Sequence, residues 1–162
     1  MTSINIRQKG ANGEREIADD LNAIISVVLK ERGLGMVYKP VIQRNQNQSA
    51  VGGSDLSNPF DLALEIKRQE NLAVNTWWNQ CQVAAKEFGG EPIVIYRQSR
   101  KPWLVVMNTQ LLICNIGKIP SRGTVSVRAT LSYDDFKKWF RYRVELYLDS
   151  GNWEPHTFQP TN

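Results

Sequence analysis

Apolar residues near the start of the chain recur at helical spacing. Ile17, Leu21, Ile24, Ile25 and Val28 lie on one stripe and predict an amphipathic helix over 12–32. Asn12 is its expected N-cap, and Gly33 and Gly35 stop the run. Residues 36–42 predict a strand that is an edge or is bent at Pro40. A polar stretch from Gln43 to Val51 surrounds Arg44, and its side chains suit phosphate contacts. Gly52-Gly53 marks a tight or closely approached backbone. Ser57-Asn58-Pro59 is a turn signal, and residues 60–67 predict a strand.

A second helix is predicted over 75–88, closed by Gly89-Gly90. Trp77 and Trp78 are adjacent in it, so one is expected in the core and the other free for a sugar, a base or a partner subunit. Residues 92–96 predict a short buried strand, 97–101 a basic turn, and 103–107 the hairpin partner. The pattern is that of an α/β sandwich or three-layer core. Further on, 111–116 and 124–128 are read as strands or as loop-borne extensions. Ser132 is a candidate N-cap for an aromatic-rich helix over 133–148, and the tail after Ser150 is expected to be irregular.

Composition narrows the function classes. The 162 residues are expected to form one domain, with 41% apolar and 22% charged residues. The net charge of +4 and pI of about 9.2 are compatible with a polyanionic partner. Cys81 and Cys114 form no metal-binding pattern, and the single histidine, His156, lies in the tail. Zinc and a mechanism centred on histidine are therefore not expected, and the cysteines are read as reduced and structural. No stretch reaches the roughly 18 apolar residues of a membrane span. Residues 1–7 lack the apolar core of a signal peptide, so a cytoplasmic location is expected.

The chemistry concentrates at Glu65-Ile66-Lys67, ten residues after Asp55. Residues two apart on a strand share a face, so Glu65 and Lys67 project together. Asp55 would come in from the preceding strand or turn. Two carboxylates offer Mg²⁺ the hard oxygen ligands it prefers, beside a cation that can meet a phosphate. Taken alone, the same pattern also describes an ordinary solvated strand face.

The motifs Lys9-Gly10-x-x-x-Glu14-Arg15, Gly52-Gly53-Ser54-Asp55-Leu56 and Glu65-Ile66-Lys67-Arg68, with the extensions Arg44-Asn45, Trp77-Trp78-Asn79-Gln80 and Pro92 to Trp103, resemble a known family. They resemble the archaeal-type Holliday-junction resolvases of the PD-(D/E)XK nuclease superfamily, in its bacteriophage-encoded branch. The similarity covers about residues 7–107. It implies an α/β fold with a restriction-endonuclease-like core, a mixed central sheet flanked by helices. It also implies a dimeric endonuclease dependent on Mg²⁺, with Mn²⁺ as a substitute, that cuts four-way DNA junctions. The expected domain is 1–162, with a core over about 7–107 and a C-terminal extension over 108–162.

The resemblance carries over to particular positions. Glu14, Asp55 and Glu65 would hold the metal with the carbonyl of Ile66, and Lys67 would be the catalytic lysine. Ser54 stands where the family has proline, whereas Pro59-Phe60-Asp61 makes Asp61 a rival ligand. Asp55 is preferred, because Asp61 would sit about 13 Å from Glu65 at about 3.3 Å per residue.

Arg7, Lys9, Arg44, Gln80, Arg97, Arg100 and Lys101 are the candidate DNA contacts. Glu14 also suits a plain role in the first turn of a helix. Arg68 falls on the opposite strand face and reads as structural or surface. The cations of 133–148 could bind DNA, although an aromatic stripe used for packing or dimerisation is the commoner case. The alternatives are a same-fold nuclease acting on flaps, forks or duplex, and a non-catalytic DNA-binding module.

Overall fold

In the computed structural model, residues 5–46, 54–113 and 123–161 are described. The chain runs α1 (Ile6–Glu31), β1 (Met36–Val37), β2 (Gln43–Arg44), β3 (Leu56–Ser57), β4 (Leu62–Arg68), α2 (Val74–Phe88), β5 (Glu91–Arg97), β6 (Leu104–Leu112), β7 (Thr124–Ser132), α3 (Tyr133–Asp149) and β8 (Thr157–Phe158). The six strands β2 to β7 form one sheet in sequence order, and β1 pairs with β8 in a separate two-stranded ribbon. Only β4 and β5 are parallel; the other neighbours in the large sheet are antiparallel. The helix α2 supplies the crossover that a parallel pair requires.

Alternation along the strands builds a core on each face of the sheet. Leu62, Leu64 and Ile66 of β4 join Ile93, Ile95, Val105 and Met107 against α1 and α3. Ala63, Val94, Tyr96 and Val106 face α2. The mixed sheet between helical layers agrees with the expected fold class. Helix α3 packs into the same core as α1 through Phe136, Phe140 and Val144, all fully buried. Its aromatic stripe is thus a packing surface. Ser132 caps it by accepting a 3.0 Å hydrogen bond from the Asp135 N–H.

Several expectations are corrected. Helix α1 starts at Ile6, with Asn5 as N-cap; Asn12 lies inside it and accepts from Arg15 at 3.0 Å. Glycines at 10 and 13 weaken a helix in isolation, but Gly13 is buried where α1 approaches β4 most closely. A Cβ there would meet the Trp103 ring at 3.3 Å and Arg68 Cβ at 3.5 Å. The expected strand over 36–42 survives only at Met36–Val37, with Pro40 lying after its end. The polar segment supplies β2 instead, and the tail is not wholly irregular, since Thr157–Phe158 pairs with β1.

Trp77 and Trp78 are both buried, each 5% exposed, against the expectation that one would be free. Trp77 lies against Tyr96 with ring centroids 5.9 Å apart. Trp78 lies beneath the Arg128 guanidinium of β7, which also donates to Asn75. Large rings at neighbouring helical positions flank one contact line, and a sheet widened by β6 and β7 covers both. The strand reading thus holds for 111–112 and for 124–128, and β7 runs on to Ser132. Residues 114–116, Cys114 and Gly52-Gly53 lie outside the described residues.

Candidate active site

Backbone pairing places Asp55 beside the Glu65-Ile66-Lys67 segment. Leu56 of β3 pairs with Leu64 of β4, and the Asp55 N–H donates to the Leu64 carbonyl at 2.8 Å. One step along, the Ile66 N–H donates to Asp55 Oδ2 at 2.6 Å. A strand residue presents its N–H and C=O to the same edge, so the Ile66 carbonyl faces the Asp55 side too. From behind, the Asn45 N–H donates to the Asp55 carbonyl at 2.9 Å. Glu65 and Lys67 share the other face of β4 and form an ion pair at 2.5 Å.

Glu14 comes from the third turn of α1 and pairs with Arg44 Nε of β2 at 2.6 Å. It is therefore not a first-turn residue, and the dipole account of its charge does not apply. Among the described residues, no strand pairs with β4 beyond Leu64 on the β3 side. Charges from both faces of the sheet can meet across this open edge.

The electrostatics record that meeting. Asp55 is 7% exposed, and burial pushes its carboxyl up to about 6. The negative charges of Glu65 and Glu14 push the same way, against the Ile66 hydrogen bond and Lys67. Burial opposes the charge on Lys67, but the hydrogen bond to Glu65 and the charges of Glu65, Asp55 and Glu14 outweigh it and raise its pKa. Lys67 is thus held firmly protonated. Among the described residues, no three Asp, Glu, His or Cys side chains are already gathered as a metal-binding set. Glu65 and Glu14 each face a cationic side chain instead. The donors are all hard oxygens, and the charges of Glu65 and Glu14 act on the buried Asp55 carboxyl. This donor set suits a hard divalent cation, provided Glu65 and Glu14 exchange their present partners.

The family described as "Phage putative PDDEXK endonuclease" matches residues 5–156. The chain belongs to this family. The endonuclease is also similar to a solved structure, the Holliday junction resolvase Hjc from the archaeal hyperthermophile Archaeoglobus fulgidus. The two are 15% identical with a TM-score of 0.44, over 80% of this chain and 96% of that one. No curated protein matches the sequence. Members of the family's nuclease class generally work with a divalent metal on DNA.

Asp61, the rival ligand, is separated from this cluster. It precedes β4 with a left-handed φ of 54° and accepts from the Tyr147 hydroxyl at 2.5 Å. Its carbonyl accepts from the Glu91 N–H at 2.8 Å, which fixes the turn before β4.

The candidate DNA contacts of the endonuclease divide into two groups. Arg7, Gln80, Arg100 and Lys101 are exposed. Lys9, Arg44 and Arg97 are engaged within the protein. Lys9 pairs with Glu70 at 2.5 Å and Arg44 with Glu14. Arg97 pairs with Glu16 at 2.9 Å and stacks 4.5 Å from the Trp103 ring. Glu16 also accepts from the Trp103 indole at 3.0 Å, so these three residues brace α1 against the sheet.

Two residues have roles more specific than the sequence reading gave them. Asn45 supports the Asp55 segment through the backbone, and no sequence signal marks this. Cys81 lies under β4 and donates to the Ala63 carbonyl at 3.2 Å, its thiol pushed up to about 12 by burial. Its helical spacing with Trp77 and Trp78 marks it as packed against the sheet.

Proposed function

We propose that the endonuclease is a Mg²⁺-dependent, structure-selective enzyme that resolves four-way DNA junctions, with Glu14, Asp55, Glu65 and Lys67 at its centre. The electrostatic coupling of buried Asp55 to Glu65, Glu14 and Lys67 supports the reading. Glu14, Asp55, Glu65 and the Ile66 carbonyl would hold the cation. When bound, the cation would lower the pKa of water and neutralise charge building on the phosphate.

The chain's own residues do the rest. Ile66 orients the Asp55 carboxylate through its N–H. Lys67, held charged beside Glu65 in the metal-free protein, donates to the phosphoryl oxygens and positions the attacking water. In-line attack of the water oxygen on phosphorus would form the new P–O bond as the bond to the 3′ oxygen breaks; the water's proton passes to solvent and the 3′ oxygen takes one from solvent, leaving 5′-phosphate and 3′-hydroxyl ends. Exposed Arg7, Gln80, Arg100 and Lys101 are offered to the DNA backbone. Arg44 is offered too, once Glu14 turns to the metal.

The preference for a junction rests on the motif resemblance, and a two-fold dimer suits it because two identical sites can cut strands of like polarity. In this reading the whole chain acts as one nuclease domain. The test is cleavage of a labelled four-way junction beside duplex, flap and single-stranded DNA, with Mg²⁺ or EDTA. Asp55→Asn and Glu65→Gln serve as controls. Cleavage of the junction alone, lost in EDTA and in both variants, is expected. Equal cutting of all substrates removes the junction preference, and undiminished cutting by the variants removes the site.

A further inference from the structure

Arg68 was expected to be structural or surface, but its surroundings suit a ligand. It ends β4 on the face opposite Lys67, and its stem lies against α1 where Gly13 lacks a side chain. Its Nε is shielded from solvent and has no hydrogen-bond partner. Arg97 Nε is unpaired in the same way, but the Arg97 guanidinium is held by Glu16 and that of Arg44 by Glu14, whereas among the described residues the Arg68 guanidinium forms no hydrogen bond or ion pair. Buried donors are almost always paired, so an orphaned one calls for a missing acceptor.

The guanidinium lines a cleft of about 320 Å³ with Asn5, Gln8, Lys9, Asn12 and Ser99. Two of these six residues are cations, four are neutral hydrogen-bonding groups, and none is a carboxylate. The nearby acid, Glu70, is already engaged by Lys9 and by the Ser99 hydroxyl, each at 2.5 Å. The cleft also opens at the start of α1, where Asn5 makes no side-chain capping bond and the positive end of the helix favours an anion. A planar guanidinium with free donors matches phosphate geometry.

We propose that this cleft is a second phosphate subsite, in which Arg68 holds a DNA-backbone phosphate flanking the one to be cut. The proposal rests on the nuclease reading for its ligand, but not on metal or cleavage. Lys67 and Arg68 are consecutive on a strand and so point to opposite faces. One strand end would thus present a cation to two phosphates, one on each side of the sheet edge. Arg68 is a binding and positioning residue here.

The test measures binding of a short labelled duplex in EDTA, where no cleavage occurs. Arg68→Gln is expected to weaken binding about tenfold and to flatten the slope of log affinity against log salt by about one. Unchanged affinity and slope in a folded Arg68→Gln protein would overturn the proposal. If that variant does not fold, the wild-type Arg68 Nε–H signal is followed by NMR, assigned by its absence in Arg68→Lys. It is expected to shift with duplex, and a signal unmoved by duplex overturns the proposal. So does a signal that responds to inorganic phosphate alone, which would mark a site for a free anion. A wild-type protein that cuts no DNA but shows the Arg68 effects on binding would sink the catalytic reading and leave this subsite standing.

Discussion

The Ile66 N–H donates to Asp55 Oδ2 across 2.6 Å, which fixes the acid side-on to the strand that carries Glu65 and Lys67. A carboxamide oxygen can keep this hydrogen bond but brings no negative charge. Asp55→Asn is therefore expected to fold normally and lose at least about a hundredfold in cleavage rate, a scale ordinary for loss of one preorganised electrostatic group. Circular dichroism alongside a single-turnover assay checks both halves. Cleavage within a few-fold of wild type would remove Asp55 from the site.

The same residue makes stability depend on pH. Its folded-state pKa of about 6 lies above the unfolded value of about 3.9. The folded state therefore binds the proton more tightly. That contribution is fully present below about pH 4 and is lost as pH rises through 6. Thermal melts in EDTA should show Asp55→Asn gaining several degrees over wild type at pH 7.5, about half as much at pH 5, and almost nothing below pH 4. Saturating Mg²⁺ should raise the wild-type midpoint at pH 7.5 and leave that of Asp55→Asn almost unmoved. A pH-independent difference between the two proteins would contradict the crowding of charge around Asp55.

Lys67 is held protonated by three carboxylates. Its loss in Lys67→Gln should lower the rate by about two to three orders of magnitude. The wild-type rate between pH 7 and 9 should show no limb from deprotonation of this lysine. A limb in that range that vanishes in Lys67→Arg would make Lys67 a base after all.

Arg44 occupies Glu14. Removing it in Arg44→Gln frees the acid for a cation. Calorimetry without DNA should show divalent binding tightened several-fold, whereas duplex affinity falls. Unchanged metal affinity would place Glu14 outside the metal's reach.

Trp78 is a packing residue shielded by Arg128. Trp78→Ala should cost about 3–5 kcal/mol of stability, the usual range for a buried aromatic. Urea denaturation measures it. A loss under 1 kcal/mol would return Trp78 to the surface role expected from its adjacency to Trp77.

Much of this molecule was legible from local pattern. The stripe from Ile17 to Val28 announced α1, and Ser132 marked the start of α3. The alternation at 60–67 placed Glu65 and Lys67 on one face, because that geometry is a property of the strand itself. Asp55 was preferred over Asp61 on reach along the chain, and the structure puts Asp61 against Tyr147, away from Glu65. The start of α1 was misplaced because two glycines and a polar run look like a loop until Trp103 and Arg68 pack against Gly13.

The sequence by itself determined the three helices and the central strands and put Glu65 beside Lys67 on one strand face, since these follow from short-range periodicity. Only the tertiary structure decided which charges meet. Arg44, Arg97 and Lys9 look alike in sequence to Arg68, yet they face carboxylates from distant segments, and among the described residues Arg68 faces none. Pairing of charged side chains depends on which strands adjoin and where a helix crosses them, and those are long-range relationships that no local pattern carries.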